Sequence, residues 1–147
     1  MSIKDRVQQD MKDAMRAKDK PRLGTIRLIL AAIKQREIDE RIELSDEQVI
    51  VVLDKMTKQR RESISQFEKA GRDDLIAQEV SELDFIKPYL PEALDEDALN
   101  ALIDAAMEST GATHIKDMGK VMGQLKPKIQ GRADMGAVSA LIKARLS

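Results

Sequence analysis

"KPYLPEALDED", residues 87–97, holds two of the chain's four prolines three positions apart and closes on a run of acids. Proline has no amide hydrogen to give a helix, and it pushes the residue before it out of helical backbone. A helix arriving at Pro88 must stop, and Asp95 supplies a side-chain oxygen that can cap the next one. The stretch predicts a boundary, with a four-helix subdomain over residues 1–90 and a three-helix unit over residues 91–147.

Upstream, Ser2 with Asp5 opens a first helix on which Ile3, Val7, Met11 and Met15 recur every four residues, to about Lys18. Asp19, Lys20 and Pro21 restart the chain, and Leu23, Ile26, Ile29, Leu30 and Ile33 stripe a second helix to about Arg41. Ser45 and Gln48 spell a capping box for a third, which carries Val49, Val52, Leu53, Met56, Ile64 and Phe67, with Arg60 where an apolar residue is expected. Gly71 ends it. Asp73 is the expected cap of a fourth, striped by Ile76, Val80, Leu83 and Ile86.

Downstream, Asp95 opens a fifth helix bearing Leu99, Leu102, Ile103, Ala106 and Met107, and Gly111 stops it. Met118, Val121, Met122 and Leu125 keep helical spacing until Pro127, where the sixth helix is expected to be disturbed. Asp134 caps a seventh, with Val138, Leu141, Ile142 and Leu146 inward and Lys143 and Arg145 near its negative end. Apolar and polar residues never alternate over a useful length. The fold class read from this pattern is all-α and multihelical, in two helical subdomains.

Composition agrees. Charged residues make up 35 % of the chain, mostly good helix formers, and aromatics are limited to Phe67, Phe85 and Tyr89. The core falls to aliphatic side chains and eight methionines. The absence of cysteine removes disulfides, thiolate metal sites and cysteine nucleophiles together. The opening MSIKDRVQQD is charged where a secretory leader is apolar, and LILAAI is too short to span a bilayer. A cytoplasmic protein with no membrane partner is expected.

Chemistry is hard to place. His114 is the single histidine and has no partner at the spacing of a zinc site or a relay. No phosphate-binding loop or nucleophile elbow occurs. The pairs Asp73 with Asp74 and Asp95 with Asp97 lie at helix starts, where acids complement the dipole. No catalytic residue, metal ligand, cofactor or small-molecule substrate is expected.

Charge is arranged in blocks. Residues 1–36 hold ten basic side chains against four acids, residues 37–113 eight against twenty, and residues 114–147 seven against two. Such ends can dock on the middle, attract a polyanion, or leave an acidic face for a protein partner. The last block contains "MGKVMGQLKPKIQGRAD", residues 118–134, with Gly119 and Gly123 four apart inside an apolar stripe. Each glycine costs a helix about 1 kcal/mol relative to alanine. Their bare face admits another backbone, either a helix of the same unit or a nucleic acid. Lys116, Lys120, Lys126, Lys128 and Arg132 crowd the same stretch and form the candidate nucleic-acid-binding set with the two glycines. With so few aromatics the contact would be to the phosphate and ribose of folded RNA, not to stacked single strands. Asp134 already fills the last helix's cap and disfavours an anion there.

"GKVMGQLKPKIQGRAD", "AVSALIKARL", "DMKDAMRAKDKPRLGTIRLILAAIK", "KQRRESISQFEKAGRDDL" and "YLPEAL" resemble the YqeY family over essentially the whole chain. Its C-terminal part is similar to the tail of the GatB subunit of the tRNA-dependent amidotransferase. The resemblance implies a two-part helical fold and a tRNA-facing role, with tRNA, aminoacyl-tRNA or the amidotransferase machinery as partners. Gly123, Gln124, Gly131, Arg132, Ala133 and Asp134 match the tail's motif positions, while Pro127 stands where that tail often has lysine. A carbon-nitrogen ligase label with glutamine as amide donor is inherited by name, without an active site in these residues.

Overall fold

The computed structural model describes all residues, Met1–Ser147. Seven α-helices and two short 3-10 turns form the chain, with no strand. Two compact units result, Met1–Leu90 and Pro91–Ser147.

The first unit contains α1 (Ile3–Ala17), α2 (Lys20–Glu40), α3 (Asp46–Ala70) and α4 (Asp73–Ile86). Ser2 Oγ accepts the Asp5 amide at 3.1 Å, Asp19 accepts that of Arg22 at 3.3 Å, and Ser45 with Gln48 forms the complete capping box. The fourth cap differs from expectation: Arg72 is the cap residue and makes no side-chain capping bond, its guanidinium pairing with Asp74 instead, while Asp73 lies inside the first turn. Its charge there still suits the helix dipole. Val7, Ile26, Ile29, Ile33, Val49, Leu53 and Ile86 fill the core. Met15 and Val80, expected inward, are exposed, and Ala14 takes the buried position next to Met15. A helix turning about 100° per residue cannot hold a strict four-residue stripe to one face over four turns.

Arg60, the interruption in the third stripe, is explained across α3 and α4. Its Nε donates to Glu82 at 2.9 Å and its Nη1 to the Met56 carbonyl at 3.2 Å. Burial, then the neighbouring Glu82, raises the Glu79 carboxyl above its ordinary range, so Arg60 neutralises a partly buried acidic pair. The unit closes on a short 3-10 turn, Lys87–Tyr89. Tyr89 is buried, its hydroxyl donates to the Asp10 carboxylate, and the Arg6 guanidinium sits 5.5 Å from its ring centre. The proline segment is thereby fixed to α1.

The second unit contains α5 (Glu96–Thr110), α6 (Met118–Ile129) and α7 (Met135–Leu146). Ile103, Val121, Leu125, Ile129, Val138 and Ile142 form its core. Leu141, expected inward, is exposed, because Val138, Ile142 and Leu146 at four-residue spacing already occupy the inner face of α7. No helix of the chain is long and apolar enough to cross a membrane.

Candidate nucleic-acid interface

The α6 helix begins from a locked turn. The Asp117 carboxylate accepts the amides of Thr113 and His114, each at 3.1 Å, which aligns the 3-10 turn Ile115–Asp117 with the helix. Those two bonds, followed by the fields of Lys120 and Lys116, hold the Asp117 carboxyl below its usual range. Lys116 and Lys120 therefore each spend part of their field on one internal anion. His114 is exposed at this turn.

Pro127 does not interrupt α6, which continues to Ile129. The expected disturbance is overcome by burial. Interior proline costs a helix about 3 kcal/mol, while fully burying each of Leu125 and Ile129 contributes about 1.5–3 kcal/mol. The ring lies on the exposed side of the helix, where water can satisfy the Gly123 carbonyl that the missing amide leaves without a donor.

The glycines also sit differently from the sequence expectation. Val121, Leu125 and Ile129 face the core, whereas Gly119 and Gly123 are exposed on the opposite side, outside the apolar stripe. At about 100° per residue, Gly119, Gly123 and Pro127 form one row along the open face. A Cβ added at Gly119 or Gly123 would meet nothing within 4 Å. No helix of the second unit fills the notch, so packing within that unit does not account for the two glycines.

The lysines divide by position. Lys120 and Lys126 border the glycine row on either side, and both are exposed. Lys128 is exposed on the shoulder of α6, about 120° round from the centre of the open face. Lys116 precedes the helix. Neither Lys126 nor Lys128 takes part in an ion pair. Arg132 is drawn away: its Nε donates to the Glu92 carbonyl at 3.0 Å, and its own carbonyl accepts the Leu94 amide at 2.9 Å. It holds the segment before α5 against the turn after α6. Two residues of the open side carried no charge signal in the sequence. Pro127 completes the row, and Gln124 donates to Ser109 Oγ at 3.3 Å beside it; the 119, 123, 127 spacing was the available clue. Asp134 caps α7 through the Gly136 amide at 3.2 Å, as its position suggested.

A profile of the family described as Yqey-like protein matches residues 4–146. Among curated relatives, "Altered inheritance of mitochondria protein 41, mitochondrial" from Eremothecium gossypii is 43 % identical over 112 residues, covering 74 % of this chain and 61 % of that protein. The protein of the same name from Pyrenophora tritici-repentis is 34 % identical over 130 residues, covering 87 % and 71 %. That from Kluyveromyces lactis is 34 % identical over 150 residues, covering 96 % and 78 %. The match thus spans about three fifths of the Eremothecium protein's length. These names overturn the cytoplasmic expectation, since the relatives are named as mitochondrial proteins. The charged opening on which that expectation rested forms the first turns of α1.

Proposed function

The chain belongs to the Yqey-like protein family, and from that premise we propose that the open face of α6 docks on the sugar-phosphate backbone of folded tRNA. The observation that carries the reading is the vacant row at Gly119 and Gly123, with exposed lysines on both borders. A bare helical face lets a ribose-phosphate chain approach the helix backbone, and Lys120, Lys126 and Lys128 supply the charge that phosphates seek. Lys116 adds charge at the helix entrance, while Arg132 supports the face by fixing the chain at Glu92. The similarity of the C-terminal part to the amidotransferase tail favours tRNA over other folded RNA and makes the module an accessory to tRNA-dependent amidation. The role is recognition, with no bond made or broken by these residues.

Filter binding to bulk tRNA at two salt concentrations tests it. Binding through three or four phosphate contacts weakens with salt at a logarithmic slope of about −3 to −4, and Lys120→Glu/Lys126→Glu lowers both the affinity and the slope, by about 1 for each lost contact. Absence of binding at low salt, or equal binding by the double variant, refutes the reading.

A further inference from the structure

A second unexplained surface lies on α2, in the other unit. Ile26, Ile29 and Ile33 bury one side of that helix. On its opposite side Gly24, Leu28, Ala31, Gln35 and Ile38 are all exposed, Leu28 by 46 % and Ile38 by 60 %. Their spacing is four, three, four, three. That is the alternation of a coiled-coil seam, with Leu28 and Gln35 at a and Gly24, Ala31 and Ile38 at d. A helix apolar on two opposite sides normally has both covered, and a Cβ at Gly24 would meet nothing within 4 Å.

We propose that this face pairs with the same face of a second copy of the chain, α2 alongside α2 in parallel. Small side chains at Gly24 and Ala31 let two helices approach closely. Gln35 meets its own counterpart at a central a position, where a polar pair fixes register and selects two strands. Its Nε2 donates to Asp39 at 2.9 Å and holds that carboxylate beside the seam. Charge decides the orientation. In parallel, Lys34 at a g position faces Asp39 of the second copy at the e position five residues on, and Lys34 makes no ion pair within its own chain. In the antiparallel arrangement that pairs Leu28 with Ile38 and Ala31 with Gln35, Lys34 faces Lys34 of the second copy, so like charges oppose it. The seam covers only about two heptads, which makes the dimer concentration-dependent and reversible.

Sedimentation velocity of the full chain from low micromolar to several hundred micromolar reads the association directly. The parent chain shifts from monomer to dimer, and Ile38→Asp, whose side chain is exposed and outside the core, stays monomeric with unchanged helicity. Lys34→Asp weakens the dimer at least several-fold, and Lys34→Asp/Asp39→Lys restores it. Because the chain has no cysteine, Leu28→Cys reports orientation: in parallel pairing it oxidises to a disulfide-linked dimer. A chain monomeric throughout, a dimer indifferent to Ile38→Asp, or a dimer in which Leu28→Cys does not cross-link overturns the proposal.

Discussion

At Gly119 and Gly123 two demands on one residue separate. Both positions are helical, exposed and unobstructed, so alanine at either should stabilise the second unit by about 0.8–1 kcal/mol. Urea denaturation of Gly123→Ala checks this; a loss of stability would show that something crowds the position. Under the proposed function the same variant binds tRNA less well, a divergence that a purely structural glycine does not produce. Glu37 offers a residue-scale prediction in the other unit. It accepts the Leu44 amide at 2.9 Å and a bond from Lys4, and these hold its carboxyl below the ordinary range. The folded state therefore binds the proton less readily than the unfolded chain. The stability Glu37 supplies is complete above about pH 4.3, the usual glutamate value, and is lost as pH falls through the lower folded value. Unfolding curves of Glu37→Gln should converge with those of the parent as pH drops below about 4; a constant gap would contradict the assignment.

Among the elements, what could be read in advance depended on whether a residue's partner was local. Ser2, Asp19, Ser45, Asp95 and Asp134 each bond an amide two or three positions away, so these five caps and the helix count were legible from spacing alone, whereas Asp73, which makes no such bond, was misplaced as a cap. Arg60 and Arg132 were not, because their partners, Glu82 and Glu92, lie 22 and 40 residues off. Arg132 looked like an anion ligand for that reason. Helix register was legible only to within one position: Ala14 is buried where Met15 was expected, and Leu141 points out beside Ile142. The open side of α6 was misread because its glycines are interleaved with the apolar residues in sequence while standing opposite them in space. Two predictions belong to this scale. Removing Arg60 leaves Glu79 and Glu82 partly buried without a cation, so Arg60→Met should destabilise the first unit by about 2–3 kcal/mol, and Arg60→Met/Glu82→Leu should recover most of it. Arg132→Ala should cost the second unit about 1 kcal/mol by freeing the Glu92 carbonyl. Equal stability of either single variant, in thermal or urea unfolding, would count against these contacts.

Across the whole molecule, the three charge blocks of the sequence do not coincide with the two units. The acidic stretch, residues 37–113, is divided between them. The second unit has seven basic residues against eight acids, and it is their segregation that matters. Glu96, Asp97, Asp104 and Glu108 lie on α5, whereas α6 carries three lysines and no acid. A nearly neutral unit of 57 residues can thus present a positive strip. Family membership fixes the fold and its relatives, but the binding role rests on that strip and its missing side chains. The most direct measurement is tRNA binding by Gly119→Leu/Gly123→Leu, which fills the row without altering charge. The account predicts a folded protein, with helicity and unfolding midpoint at least equal to the parent's, that has lost most of its tRNA affinity at low salt. A folded double variant binding tRNA as tightly as the parent would contradict it.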